Sequence, residues 1–540
     1  MKKRILVLVA LLVMALLIGT ACGGNGDGGT ATPDPTPAQQ QEAEPPAAGE
    51  TAAEPPPADV VTTLPNIVFA VPSLQVSLDP IQSNDSATAQ VSKQLYDTLL
   101  AQDYVTFEVY ANLAIEWDLP DSQTVNMRIR DDVYFHNGDK LTAHDVAFSL
   151  ERAGASAQVE PIVGMIDTVT VHDDYNFTIH LEIPFAPILR HLAHPASGIV
   201  PMNYILEVGE DGFAENPIGS GPFRFVSYTI DVNTMLERND NWWGGDVIPE
   251  TLEFRRVPDQ QGRLLALEAG EVHIADNIAP ADVPRGEASP DVNMMRRMNL
   301  STNYVGFNTN APHINNPLVR QAINYALDTQ AVVDVVFMGT SRPAHGPIGD
   351  LVWGFYDTGG FPTNLDRARE LMAEAGYADG FSTTIWYNVP NVQRQTIAEM
   401  VQFALAPLNI EVEILGLEWG EYLDRVADGE HDMFLLGWVS VTGDADYGLF
   451  PLFHSSMYGA AGNRTFWSTP ESDDLLERGR MSVDPAERME IYRELQILLH
   501  AEAPWIFLNQ GEFLIATAAN VNGFVIAPAG HHQFRNVWGS

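Results

Sequence analysis

Leu141-Thr142-Ala143-His144-Asp145-Val146-Ala147-Phe148-Ser149-Leu150-Glu151-Arg152 is the segment of this 540-residue chain on which the fold turns. Thr142 stands directly before the helical pattern, and Asp145 three residues on completes a capping-box-like pair, so a helix starts here. In front of it runs Arg130-Asp131-Asp132-Val133-Tyr134-Phe135-His136-Asn137-Gly138. Before that, Thr124 to Arg130 alternates Val125, Met127 and Ile129, the period of a half-buried strand. Behind it, Val169 and Val171, the polar turn Asp173-Asp174-Tyr175-Asn176, and Phe177, Ile179 and Leu181 read as a β-hairpin. Upstream, folded sequence is expected from near Val61, with Ile67 to Val71 as a β-rich run. Ser86 to Leu100 reads as a helix, because Val91, Leu95 and Leu99 recur at four-residue spacing.

The carboxy-terminal half alternates helix with strand. A helix from about Asn364 stops at Gly376, with Ala368, Leu371, Met372 and Ala375 on one face. Another, from about Val392 to Leu405, leads into the alternating strand Ile410-Val412-Ile414. A short helix around Tyr422 leads into Met433-Phe434-Leu435-Leu436. That repetition argues for an α/β domain. Two lobes of different character in one chain imply a cleft between them, where ligands usually bind.

The bulk numbers exclude several functions. Net charge is −42, from 71 acidic against 29 basic residues, and only Lys2, Lys3, Lys93 and Lys140 are lysine. Such a surface repels phosphate backbones and argues against nucleic-acid partners. It reads as a solvated exterior, or alternatively as a field that attracts cationic ligands. The only cysteine is Cys22, so neither an intrachain disulfide nor a thiolate zinc site can form. It follows Lys2, Lys3 and Arg4, an apolar run from Ile5 to Ile18, and the small residues Gly19-Thr20-Ala21. That order is a secretory signal peptide, its apolar run of about 14 residues being short of the roughly 20 a membrane-spanning helix needs. A cysteine at this place resembles a lipobox, with Gly19 where leucine is usual; an ordinary signal with an incidental cysteine is the other reading. Residues 1–21 are thus read as a lipoprotein signal peptide. Residues 22–60, rich in Gly, Pro, Ala, Thr, Gln and Glu, are read as a disordered linker. The match Gly24-x-Gly26-x-x-Gly29 has no strand before it or helix after it and is accidental.

Catalytic patterns are missing from the sequence. His191-x-x-His194 and His531-His532 lack the spacing and glutamate of a zinc hydrolase. Gly219-Ser220-Gly221 lacks the Gly-x-Ser-x-Gly spacing of a nucleophile elbow, and no Gly-rich loop ends in Gly-Lys-Ser/Thr. Nothing argues for an enzyme, a resident metal or a cofactor.

Many further segments fall in a fixed order. They include Ser77-Leu78-Asp79-Pro80, Leu95-Tyr96-Asp97-Thr98-Leu99 and Asn216-Pro217-Ile218-Gly219-Ser220-Gly221-Pro222-Phe223. Asn239-Asp240-Asn241-Trp242-Trp243-Gly244 and Leu267-Glu268-Ala269-Gly270-Glu271-Val272 follow. Gly306-Phe307-Asn308-Thr309, Val319 to Asp328, Ala373-Glu374-Ala375-Gly376-Tyr377 and Asp432 to Trp438 complete the series. Over this whole length the chain resembles the family 5 solute-binding proteins of ABC importers, the peptide, oligopeptide and nickel class. The resemblance implies an α/β, two-lobed periplasmic-binding-protein-like fold of the large, cluster C type. Lobe I would be 61–298 with an extra subdomain near 100–215, lobe II 299–507, and 508–540 a return to lobe I. It implies an exported monomer, lipid-anchored on the outer face of the cell membrane or in the periplasm. Such a protein delivers a peptide or oligopeptide to an ABC permease and ATPase complex by lobe closure.

The resemblance also nominates ligand-binding residues. Asn84 and Ser86 fall where peptide backbone is met, although Ser86 equally suits a helix cap. Gly437 and Trp438 end a strand at the ligand. Three residues beyond the tryptophan, where peptide binders place an aspartate for the ligand ammonium, stands Val441. A valine cannot compensate a buried ammonium. Asp444 and Asp446 are candidates to replace that anchor, or else belong to the next turn. Arg394 is a candidate for a ligand carboxylate or else an exposed helix arginine. Val441 keeps a second expectation open, an uncharged oligosaccharide stacked on Trp438, Trp419 and Tyr422. A ligand sensor feeding a membrane signalling protein is a third.

Overall fold

Two long strands, Val292–Phe307 and Trp505–Ala518, pair antiparallel and form the middle of an 11-stranded sheet. The computed structural model describes residues 63–83, 85–103, 106–156 and 158–540. Cys22, the signal peptide, the linker to residue 60 and Asn84 lie outside the described residues. Among the described residues no helix is long and apolar enough to cross a membrane.

From one edge the sheet runs Ile410–Glu418, Phe381–Val389, Met433–Val439, then the two long strands. It continues through Ile274–Ala275, Asn66–Val71, Thr251–Arg256, Asn233–Arg238 and Phe223–Thr229, and the eleventh strand, Ser341–Pro343, pairs off this path with Trp505–Ala518. Met298 pairs with Glu512 and Thr302 with Gln510, so Asn299, Leu300 and Ser301 oppose Gly511 alone, a β-bulge. A Cβ on Gly511 would stand 2.7 Å from the Ser301 hydroxyl, which is why the opposing residue carries no side chain. We call the part before this bulge lobe I and the part with Met433–Val439 lobe II.

Each lobe buries both faces of its share of the sheet. In lobe II, Phe434, Leu436, Trp505 and Phe507 enter one core while Met433, Leu435, Ile506 and Leu508 enter another. That is why Met433 to Leu436 is apolar without alternation. In lobe I, Ile67, Phe69 and Val71 face one core and Val68 and Ala70 the other. The subdomain is a separate four-stranded sheet in the order Ala114–Asp121, Thr124–Ile129, Asn176–Leu181, Ile166–Val171. Val125, Met127, Ile129, Phe177 and Ile179 share a core with Val146 and Leu150 of helix α2, Ala143–Gly154.

The capping pair that starts α2 is present and serves tertiary structure as well. One Asp145 carboxylate oxygen accepts the Thr142 amide at 2.9 Å and its hydroxyl at 3.0 Å, while the other accepts the Met202 amide at 3.0 Å. At the far end of α2, Arg152 donates to both carboxylate oxygens of the fully buried Asp79, one at 3.0 Å. The expected helix from Ser86 to Leu100 is shorter: α1 spans Ser86–Leu95. Its Leu95 carbonyl accepts the Gly221 amide at 2.9 Å, and Tyr96 turns extended. Nor does Ser86 cap it, since the Asp85 carboxylate accepts the Ala87 and Thr88 amides. The helix Val392–Leu405 keeps its expected bounds.

The Gly219-Ser220-Gly221 turn lies directly on the end of α1. A Cβ on Gly219 would come within 1.9 Å of the Leu95 carbonyl oxygen, a backbone atom that cannot move aside. Gly219→Ala is therefore expected to cost about 1–3 kcal/mol or more, seen as a lowered urea midpoint with an unchanged slope. A second expectation concerns acid. Burial pulls His136 and His431 down to about 4, and His531 and His532 to about 3, from an ordinary value of 6.5. Below that ordinary value the unfolded chain takes up protons that the folded chain refuses, so stability falls as pH drops toward about 4. Asp276, pushed up to about 6 by burial, works in the opposite sense and offsets only part of this. Urea midpoints measured from neutrality downward should decline through this window; a flat profile would contradict neutral burial of the four rings.

Candidate functional site

The bulge between the lobes lies against a cavity of about 240 Å³. Its walls are the carboxyl end of strand Asn66–Val71 (Phe69 and Val71), the first turns of α1 (Ser86, Ala87 and Gln90), Asn299 and Ser301, and Val439. Asp276, Ala529, Gly530 and His532 also line it. A crevice beyond the carboxyl ends of strands is the usual ligand position in α/β sheets. The floor is electrically quiet. His532 stays neutral because of burial, with its Nδ1 accepting the Ala527 amide at 3.0 Å and its backbone held by Gln90 and Gln94.

Asp276 is the carboxylate on this wall. Its amide donates to the Ala70 carbonyl at 3.0 Å, which fixes it beside the end of strand Asn66–Val71. One carboxylate oxygen accepts the Asn277 amide at 2.7 Å. The nearby Arg263 guanidinium is occupied by carbonyls, those of Val257, Pro258, Asp276 and Asn277. Burial pushes the Asp276 carboxyl up to about 6, against the Asn277 amide and the Arg263 charge.

On the other side of Ala529 lies a smaller cavity of about 30 Å³, lined by Lys93, Gln102, Phe107, Arg190, His531 and Val441 among others. Lobe I meets lobe II here. Gln102 donates to the Thr442 carbonyl at 3.0 Å, Arg190 donates to the same carbonyl at 3.5 Å, and the Ala186 amide donates to the Arg480 carbonyl at 2.8 Å. Tyr447 of lobe II packs in the subdomain core. Arg190 also donates to Phe107 at 2.9 Å and lies 3.9 Å from Asp444. Lys93 differs from these groups. No hydrogen bond or ion pair joins its ammonium to a described residue. Burial draws its pKa down, opposed by Asp97 and reinforced by Arg535.

This architecture has known counterparts. The model of the bacterial extracellular solute-binding proteins, family 5 middle, matches residues 108–460. The chain belongs to that family. It is 30% identical over 497 residues to the glutathione-binding protein GsiB of Pectobacterium atrosepticum, covering 89% of this chain and 95% of that protein. It is 30% identical over 479 residues to the dipeptide-binding protein of Escherichia coli, covering 83% and 89%. Among solved structures, the periplasmic binding protein DppA of Helicobacter pylori, in complex with a peptide, superposes with a TM-score of 0.79 at 28% identity, covering 88% and 98%. These neighbours are two-lobed, as this family 5 protein is. Binding proteins of the family are exported to the periplasm or cell surface and work with ABC permease and ATPase components. They serve transport and are not enzymes.

The residues nominated from sequence separate into four places. Ser86 lines the larger cavity and Val441 the smaller. Trp438 is fixed between the lobe cores, its Nε1 donating to the Tyr447 carbonyl at 2.9 Å, and Gly437 leaves room for Asn303 on the neighbouring strand. Arg394, Trp419 and Tyr422 form their own group on lobe II. Arg394 donates to Asn388, Trp419 is exposed, and the buried Tyr422 hydroxyl donates to the Leu435 carbonyl at 2.6 Å. The aromatic trio expected to stack on a sugar is therefore not assembled around either cavity.

Asp444 and Asp446 require correction. Asp444 accepts two bonds from Arg488, at 3.1 and 2.8 Å, and Asp446 two from Arg480, at 3.2 and 3.1 Å. Both carboxylates are buried and already neutralised, so neither replaces an ammonium anchor at Val441. Sequence reading missed Lys93, Arg190, Asp276, Asn299 and Ser301. Only Lys93 left a trace, as one of four lysines in so acidic a chain. Removing the Asp444 partner should be costly. Arg488→Met leaves a buried carboxylate short of its main counter-charge and is expected to lose about 3–5 kcal/mol in equilibrium urea unfolding. A loss within experimental error would show that Asp444 is solvated.

Proposed function

We propose that this family 5 protein is the substrate-binding component of an ABC importer and carries a short peptide in the cleft between its lobes. One observation carries the reading: a carboxylate, Asp276, lines the larger of the two cavities between the lobes, and the ammonium of Lys93, with no bonded partner among the described residues, lines the smaller, Ala529 bordering both. A zwitterionic peptide presents the complementary pair. Relatives named for dipeptide and glutathione binding support that class of cargo. Lobe I comprises 61–298 with its subdomain near 100–215, lobe II 299–507, and 508–540 returns to lobe I. The bulge at 299–301 and Gly511 serve as the hinge, because a bulge breaks the ladder where bending costs least. The protein works as a monomer held to the membrane by lipid on Cys22.

Isothermal titration of the purified folded body with pools of di- and tripeptides is expected to give saturable heat, and a pool of neutral oligosaccharides none. Heat from the sugars alone would overturn the peptide reading. For the tether, Cys22→Ser is expected to move the protein from the membrane fraction to the soluble fraction of the expressing cells. Retention of the variant at the membrane would remove the lipid from the account.

A further inference from the structure

Helix α1 borders both cavities. Ser86, Ala87 and Gln90 face the larger one, and Lys93 faces the smaller. Seven residues of α-helix separate Ser86 from Lys93, a rise of about 10 Å. That span accommodates roughly three residues of extended peptide at about 3.3 Å each.

The two ends of this path differ in charge. At the Ser86 end Asp276 has no side-chain cation bonded to it, because Arg263 is spent on backbone carbonyls. At the Lys93 end two guanidinium groups stand close to the ammonium. Arg190 lines the small cavity with Lys93. Behind Lys93 lies a lobe I cavity of about 210 Å³, shared with Arg535, whose Nε is buried without a hydrogen-bond partner. Two carboxylates are close by. Asp97 is taken by Ser220, Trp242 and Trp243, and Asp103, on the rim of the small cavity, accepts the Thr106 amide. An ammonium left in partly buried surroundings with no carboxylate bonded to it is a site for an anion. The small cavity, about 30 Å³, takes a group the size of a carboxylate and excludes a further residue.

We propose that Lys93 holds the ligand's terminal carboxylate and Asp276 its ammonium, so that the cleft selects peptides by polarity and by a length of about three residues. Val441 then stands at the carboxylate end, where an aspartate would repel the ligand, and its apolar side chain fits that role. This inference rests on the peptide-carrier reading, and its test separates the two.

The test is titration of wild-type protein with trialanine, trialanine amide, N-acetyl-trialanine and hexaalanine, repeated with Lys93→Gln and Asp276→Asn after a thermal melt has established folding. Amidation is expected to weaken binding to wild type about 10- to 100-fold and to cost Lys93→Gln at most about twofold further; acetylation behaves likewise with Asp276→Asn. Hexaalanine is expected to bind at least about tenfold more weakly than trialanine. Equal affinity of wild type for the free, amidated and acetylated peptides, or for trialanine and hexaalanine, overturns the proposal while leaving a peptide carrier in place. Penalties for amidation and acetylation that persist undiminished in the variants assign the two ends to other residues and overturn it as well. Absence of heat with every peptide in wild type overturns the carrier reading itself.

Discussion

The pairing of Val292–Phe307 with Trp505–Ala518 is the constraint on which the rest of the molecule hangs. Each lobe would be an ordinary layered α/β body on its own, but these strands belong to both. A continuous ladder would make the sheet one stiff plate. Three residues facing one interrupt it at 299–301, a second register shift follows between Asn303 and Tyr304, and the first interruption is itself secured. Asn299 accepts the Ser301 amide, the Leu300 amide donates to Pro528, and the Leu300 carbonyl accepts the Ser440 amide. The discontinuity therefore has a defined shape, and the cavity walls formed by Asn299 and Ser301 are set by the same bonds that set the bend.

The segments that made the chain recognisable turn out to hold lobes together rather than to face the cleft. Asp79 of one segment pairs with Arg152 of another. Asp97 gathers Ser220, Trp242 and Trp243 from two more, its carboxyl raised by burial in spite of those three donors. His136 bonds both glycines of the Gly219–Gly221 turn. Buried polar groups of this kind tolerate little change, because each leaves an unpaired partner when it is lost. Patterns fixed by interior bonding survive divergence; patterns that choose a cargo need not.

That division explains what could be read in the sequence. Periodicity and caps are local, so the helix Val392–Leu405, the strand Met433–Val439 and the Thr142–Asp145 start of α2 were legible. The early end of α1 was not, because it is enforced by Gly219 and Gly221, more than a hundred residues downstream by the numbering. The cleft was less legible still. Its walls come from segments near 70, 90, 190, 276, 300, 440 and 529, and no short motif spans them. Asp444 and Asp446 misled for the same reason: their partners, Arg488 and Arg480 respectively, lie 44 and 34 residues away, where spacing gives no hint of a pair.

The contact between the lobes has a consequence for how such proteins diverge. Gln102 and Arg190 take hold of the Thr442 carbonyl, and the Ala186 amide takes hold of the Arg480 carbonyl. The surface that lobe II offers to these three donors is main chain. Main chain is the same whatever residue occupies the position, so substitution at 442 leaves those hydrogen-bond acceptors intact. A lineage can then alter the side chains that meet a new cargo while this part of the docking between lobes is inherited unchanged.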